Sequence, residues 1–342
     1  MNKAIKYTLL ALAALCLFIS CNIDSTEGLI QAAATAVNVI DYNTTNVIGR
    51  SGNALYVTTD KGICKIDSNG NYTVVKEGGN LAKKAIWAND SEYAYFNSEN
   101  NKYITEKYDG TAVSSILFNE FDGYTLKSSF SNDGINFTLV FEKDGIYYRS
   151  TFVGDTPAQA PISVEEGYQL SIIGQDAFVL VTRDGKFPKI IVNGDIYNVN
   201  SANRISGAIK SNGVVYAVDI KGKVYSFAAP NSSEKEIGSI KLSSSVQSVY
   251  IPMALNSDGN ILFIYPGDSS SNLITVTPEK TEIKNYSNSS LASTIPHRIV
   301  GYNSTSGQYL IINERNGVYL LNPGTGFTKV TSSNPFNLSQ FN

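Results

Sequence analysis

Seven copies of one short pattern follow one another along most of this chain. In each copy, short runs rich in Val, Ile, Tyr and Phe are separated by polar turns that contain Gly, Asn or Asp. The clearest copy, residues 53–76, reads NALYVTT, DKG, ICKIDS, NGN, YTVVK. β-Branched and aromatic residues favour strands, and Asn-Gly or Asp-Gly pairs favour tight hairpins. Each copy therefore predicts consecutive strands joined by hairpin turns.

The spacing of the copies constrains the fold further. Their middle runs recur every 37 to 50 residues and begin near Ile63, Tyr103, Ile146, Lys186, Lys223, Leu273 and Val318. A further apolar run precedes each copy, which gives four strands per unit, and no helical period is sustained. This pattern predicts an all-β fold, a single β-propeller of seven four-stranded blades over residues 43–342, with each first strand nearest the axis. A pair of β-sandwiches or a β-solenoid is the alternative.

The blade pattern, a hydrophobic-Tyr-Val run followed by a Gly turn and an Asp-x-x-Gly, resembles that of NHL-like and YVTN-like propellers. The resemblance covers most of residues 43–332. The Gly-His and Trp-Asp pairs of WD40 propellers are absent, and Trp87 is the single tryptophan. The Trp-x-x-x-Thr-Gly motif of quinoprotein-like propellers is absent as well. The resemblance implies a fold and no particular activity.

The first 21 residues read as an export signal. Lys3 and Lys6 precede an apolar stretch, residues 8–19, that is too short to span a bilayer but suits a signal-peptide core. The stretch ends in LFISC, which resembles the bacterial lipobox in the looser form of spirochaete-like bacteria, because Phe18 replaces the preferred Leu. The resemblance implies that residues 1–20 are a cleaved lipoprotein signal peptide, that Cys21 is acylated, and that residues 21–42 form a tether. A plain secretory signal or an uncleaved anchor is the alternative.

Such a lipoprotein is expected in the cell envelope. Its lipid would anchor it to the outer membrane or to the periplasmic face of the inner membrane, with exposure at the cell surface as a further alternative.

Composition argues against several classes of function. The chain has 27 basic and 30 acidic residues and a net charge of −3, so nucleic acid is not an expected partner. A single histidine, His297, argues against a multi-histidine metal site and leaves a Ser-His-Asp triad dependent on that residue alone. No catalytic residue, metal site or cofactor is predicted. Cys64, in a strand-like run, is expected to be a buried small hydrophobe.

A candidate binding face follows from the strand order. In a propeller, the turns between second and third strands share one face with the connections between blades, and loops on a rigid scaffold commonly bind partners. The candidate residues on this face are Asp60, Glu99, Asp144, Arg183, Asp184, Lys221, Asp268, His297, Glu314 and Arg315. Turn geometry and solvation alone would also explain charged residues at such positions.

The sequence therefore favours a membrane-anchored, non-enzymatic propeller that binds a protein or glycan in the cell envelope. The first alternative is an extracytoplasmic propeller enzyme that acts on a carbohydrate or a lactone through paired carboxylates or a metal. The second is a structural component of an envelope-assembly complex. Mixed charge on the candidate face suits a polar partner.

Overall fold

The structure is a computed structural model of the chain. It describes residues 46–97, 99, 102–113, 124–131, 133–153, 156–162, 168–174, 176–182, 189–200, 205–240, 251–256, 258–266, 271–277, 281–286, 297–313 and 317–342. All of these residues belong to one compact unit, residues 41–342. The signal peptide, Cys21 and the tether lie outside the described residues.

Seven four-stranded sheets make up the compact unit. Blades 1 and 2 contain β1 (Asn46–Ser51), β2 (Ala54–Thr58), β3 (Gly62–Ile66), β4 (Tyr72–Glu77), β5 (Ala85–Ala88), β6 (Glu92–Asn97), β7 (Lys102–Lys107) and β8 (Ala112–Val113). Blades 3 and 4 contain β9 (Thr125–Phe130), β10 (Asn136–Lys143), β11 (Ile146–Val153), β12 (Thr156–Ile162), β13 (Tyr168–Gly174), β14 (Ala177–Thr182), β15 (Lys189–Val192) and β16 (Asp195–Asn198). Blades 5 and 6 contain β17 (Ile205–Ser211), β18 (Val214–Asp219), β19 (Lys223–Phe227), β20 (Lys235–Ser239), β21 (Met253–Leu255), β22 (Ile261–Pro266), β23 (Ser271–Val276) and β24 (Thr281–Tyr286). Blade 7 contains β25 (His297–Asn303), β26 (Gln308–Asn313), β27 (Gly317–Asn322) and β28 (Gly326–Lys329).

The strands of every sheet pair antiparallel in the order of the sequence. First strands of neighbouring blades contact one another in five pairs among the described residues: β1 and β5, β9 and β13, β13 and β17, β17 and β21, and β21 and β25. This architecture is a seven-bladed β-propeller, which confirms the predicted fold class. The β-sandwich and β-solenoid alternatives are therefore wrong. Helical structure in the described part of the chain is confined to α1 (Gly79–Ala82) and a 3-10 turn, Leu338–Gln340.

Tight turns set the register within the blades. Asp144-Gly145, Asn193-Gly194 and Asn212-Gly213 each place two consecutive residues at positive φ, between 49° and 88°. Gly tolerates this backbone conformation freely and Asn or Asp tolerate it better than other side chains. These three pairs are therefore tight hairpin turns of the kind that the sequence predicts.

A bulge recurs in the innermost strands. Pairing between the first and second strands shifts register just before Gly49, Gly174, Gly207 and Gly301. A methyl group at Gly174 would lie 2.5 Å from the carbonyl oxygen of Ala208 in the next blade, and Gly49 and Gly207 approach their neighbours in the same way. Glycine thus lets the first strands pack closely around the axis.

The hydrophobic core lies between the blades. Seven clusters of described buried residues correspond to the seven interfaces between neighbouring blades. Because both faces of a blade are covered, a second strand such as β2 is buried along its whole length. Cys64 is fully buried in the cluster between blades 7 and 1, as expected for a small hydrophobe.

The C-terminal segment, residues 331–342, closes the ring where blade 7 meets blade 1. Phe336, Leu338 and Phe341 are 2 to 5% exposed and join the cluster formed by β1–β3 and β25–β27. Arg50 Nη2 donates to Phe341 O at 2.9 Å, and the backbones of Tyr302 and Asn342 exchange two hydrogen bonds of 3.0 and 3.1 Å. A methyl group at Gly301 would lie nearest to Phe341 Cβ, at 2.8 Å, and 3.3 Å from the Arg50 side chain of β1. The segment therefore completes the contact between blades 7 and 1.

Candidate functional site

The antiparallel order gives the central channel two distinct mouths. We call the end where each first strand begins the entry mouth. Among the described residues, it carries the second-to-third-strand turns at residues 59–61, 99, 144–145 and 220–222. The other end, with the first-to-second and third-to-fourth turns, is the exit mouth.

Four predicted residues lie exposed in entry-mouth turns of four different blades: Asp60, Glu99, Asp144 and Lys221. The backbone of His297 begins β25 opposite Asn313, which also places it at this mouth. The other five candidates, Arg183, Asp184, Asp268, Glu314 and Arg315, lie outside the described residues. A role in recognition for any of the ten stays a prediction.

Local hydrogen bonds hold the turn that presents Lys221. The side chain of Asp219 is fully buried at the base of the turn, where Oδ1 accepts from the backbone N–H groups of Lys221 at 2.9 Å and Lys223 at 2.8 Å. Oδ2 accepts from the Tyr225 hydroxyl at 3.1 Å. The Asp of the Asp-x-x-Gly pattern is thus a structural anchor, and it leaves the Lys221 side chain facing solvent.

Blade 3 adds an aromatic and cationic patch to the entry mouth. The rings of Tyr124 and Tyr148 meet edge to face, with centroids 5.1 Å apart, and Lys143 Nζ lies 4.7 Å from the centroid of Tyr124. Ile146 beside them is 50% exposed. We call these four residues the blade 3 patch. The binding face predicted from the sequence included Asp144 of this turn but not Tyr148 or Ile146, which lie on β11 directly after it.

A segment of blade 3 reaches across the channel. Asn46 Nδ2 of blade 1 donates to Ser129 O at 3.2 Å, and the buried Arg298 of blade 7 donates from Nη1 to Ser131 O at 3.3 Å. Gly134 packs directly on the backbone of Gly49. Blades 1 and 7 are not neighbours of blade 3, so these contacts connect opposite sides of the ring.

The exit mouth contains a cavity of about 340 Å³. Its walls come from the first strands of blades 5, 6 and 7, from the turn between β9 and β10, and from Asn342. Leu255 at the end of β21 lines it and is 44% exposed. The sequence does not predict this cavity, because the residues that line it are far apart in the chain and resemble ordinary core residues.

A cluster of tyrosines and carboxylates joins blades 1 and 2. Asp90 accepts from Lys65 Nζ at 2.8 Å, from the Ser51 hydroxyl at 2.6 Å and from the Tyr56 hydroxyl at 2.5 Å. These hydrogen bonds lower the pKa of Asp90 to about 2, and the bond from Lys65 contributes most. Burial and the bond to Asp90 raise the pKa of Tyr56 well above its ordinary value, so the phenol stays protonated and acts as a donor.

The same cluster continues in blade 2. Glu106 accepts from the hydroxyls of Tyr93 at 2.7 Å and Tyr95 at 3.0 Å, and the two rings stack with centroids 5.7 Å apart. Burial, with the bond to Glu106, raises the pKa of Tyr95 to about 12. The satisfied bonds identify the cluster as a contact between blades that stabilises the fold.

The described residues contain no group of three His, Cys, Asp or Glu side chains placed to hold a metal ion. In the same part of the chain, no helix has the length and apolar character needed to cross a membrane. Burial raises the pKa of the Cys64 thiol, which favours its unreactive form.

No protein-family model and no curated protein sequence matches this chain. Among solved structures, the dihydro-heme d1 dehydrogenase NirN is 11% identical, with a TM-score of 0.46, over 86% of this chain and 68% of that chain. The extracellular domain of a hybrid two-component system from B. thetaiotaomicron is 10% identical, with a TM-score of 0.45, over 82% of this chain and 38% of that chain. BamB from Moraxella catarrhalis is 9% identical, with a TM-score of 0.39, over 82% of each chain. Likenesses at this level carry no argument about function.

Proposed function

We propose that this protein is a lipid-anchored lipoprotein of the cell envelope whose propeller binds a protein or glycan partner without catalysis. The leader and Cys21 support the anchor. The observation that carries the binding role is the blade 3 patch at the entry mouth, where exposed Ile146 adjoins two tyrosines and a lysine.

The patch suits recognition for a physical reason. Tyrosine offers a rigid apolar face with a polar end, and lysine and the nearby Asp144 add polar contacts around it. The other entry-mouth turns, including those of Asp60 and Lys221, surround the same opening, so one partner can contact several blades at once. A large exposed apolar side chain in such a setting often marks an interaction site.

The anchor is tested by metabolic labelling with a fatty-acid probe in cells that express the wild-type chain or Cys21→Ser. The substitution should abolish the label and leave an unprocessed precursor. Equal labelling of the two chains would exclude Cys21 as the lipid site.

Partner binding is tested by capture from detergent-solubilised envelope with the double variant Ile146→Asp and Lys221→Glu. Both side chains are exposed, so the melting temperature should stay nearly unchanged while the captured partner is lost. The matched control is Leu255→Asp with Lys235→Glu, which makes the same changes at exposed positions of the exit side and should keep the partner. Loss only in the control would place recognition at the other mouth.

A further inference from the structure

The exit-mouth cavity has an apolar wall contributed by three neighbouring first strands. Ile209 of β17, Met253 and Leu255 of β21, and Ile299 of β25 line it. Its volume of about 340 Å³ lies at the lower end of the ~300–1,000 Å³ typical of small-molecule pockets. The cavity therefore suits a compact, largely apolar molecule.

Polar groups also line the cavity, from Asp133 in the turn between β9 and β10 and from Asn136 at the start of β10. Asp133 Oδ1 accepts from the backbone N–H groups of Ile135 and Asn136 at 2.9 Å each, and Oδ2 accepts from Asn136 Nδ2 at 2.6 Å. Arg50 lies close enough to Asp133 for their charges to interact. The carboxylate is thus already solvated by its own turn and balanced by a cation, so the cavity favours a neutral occupant over a charged one.

The cavity is built by fixed elements. Asn342 is held by its two backbone hydrogen bonds to Tyr302, and Phe341 packs against Gly301, so the wall next to β25 belongs to the closure of the ring. A site that exists before the ligand arrives avoids the cost of ordering flexible segments on binding.

We propose that the exit-mouth cavity is a second binding site, for a small neutral molecule with an aromatic or branched aliphatic body and one hydrogen-bonding end. The body packs on Ile209, Met253 and Leu255, and the polar end faces Asn136 and Tyr302. Leu255, half exposed at the rim, is covered by the ligand, which removes apolar surface from water. This site goes beyond the entry-mouth function and is independent of it.

The probe is 2-naphthol, which has an aromatic body and a single hydroxyl, and the measurement is isothermal titration calorimetry of the full chain in detergent with a detergent blank. We expect saturable binding with one site per chain and no heat from D-glucose. Leu255→Asp should weaken binding at least about tenfold, because a charge at the rim opposes burial of the ring. Ile146→Asp, the same change at the exposed apolar residue of the entry mouth, should bind as wild type does.

The proposal is wrong if 2-naphthol does not bind, if Leu255→Asp binds as tightly as wild type, or if Ile146→Asp loses binding equally. Melting temperatures accompany each titration. Where Leu255→Asp unfolds, Leu255→Asn takes its place, and unchanged binding in that variant overturns the site. Partner capture through the entry mouth is a separate measurement, so the two proposals fail independently.

Discussion

At the scale of single residues, Asp90 shows how one carboxylate connects two blades. It lies in the turn between β5 and β6 of blade 2, and all three of its side-chain donors, Ser51, Tyr56 and Lys65, belong to blade 1. Its side chain is 48% exposed, so water weakens each of these contacts and the net stabilisation is small, about 0.5–1 kcal/mol.

Asp90→Asn should lower the melting temperature at pH 7 by about 1–2 °C. The folded pKa of about 2 lies below the usual value of an unfolded aspartate, so the stabilisation is present above the unfolded pKa and is lost as pH falls through about 2. Thermal unfolding of both proteins between pH 7 and pH 2 measures this, with Asp258→Asn, at another exit-mouth turn, as control. A difference that does not shrink between pH 7 and pH 2 would mean that the charge of Asp90 is not its source.

Sequence reasoning could place charged residues in turns but could not separate their roles. Asp60 and Asp144 are exposed, whereas Asp219 is fully buried, although all three lie in or next to second-to-third-strand turns. An Asp side chain is buried when its carboxylate accepts hydrogen bonds from the N–H groups of its own turn. Backbone geometry determines whether it can do so.

At the scale of strands, the sequence predicted most of what the structure contains. Alternating apolar runs and Gly turns located the strands, because side-chain period and turn chemistry are local properties. The bulges in the first strands were missed. Their signal was available, since four of the first runs, NVIGR, YQLSIIG, NRISGAI and HRIVGY, carry a glycine near the same place. The reason for that glycine, a neighbouring backbone, appears only once the ring is assembled.

Gly174→Ala should destabilise the propeller by about 2 kcal/mol or more, because the new methyl group meets the Ala208 carbonyl, which belongs to a strand that cannot move aside. The control is Gly324→Ala, in a turn where the added methyl would meet only the side-chain oxygen of Asn322, at 3.4 Å. Urea unfolding followed by circular dichroism compares the two. Equal midpoints would show that the blades can separate enough to admit a methyl group.

At the scale of the whole molecule, the closure of the ring could not be predicted from the repeat, because residues 331–342 match no part of it. The contacts of this segment join residues of blade 1 to residues of blade 7. Neither set of residues has a local sequence pattern that identifies its partner. The exit-mouth cavity was missed for the same reason, since its lining comes from five blades or segments.

Phe341→Ala should cost about 3 kcal/mol, as expected for a large buried side chain, and should make unfolding begin at the contact between blades 7 and 1. Gln340→Ala, at the exposed neighbour, should leave stability unchanged within about 0.5 kcal/mol. Denaturant unfolding gives the free energies, and hydrogen exchange of β1 and β25 reports where opening starts. If these two strands are protected from exchange equally in Phe341→Ala and in wild type, the C-terminal segment does not hold blades 7 and 1 together.

The C-terminal segment, residues 331–342, also determines how long blade 1 waits for its partner surface during synthesis. Arg50 and Phe341, which it brings together, are 291 residues apart in the chain. At the usual ~5–20 residues per second, ribosomes need roughly 15–60 s to make the stretch between them. During that interval the apolar face of blade 1 that later packs on blade 7 has no cover. Blade 1 is therefore the part of the nascent chain that most needs a chaperone, and the part most exposed to pairing with a neighbouring nascent chain.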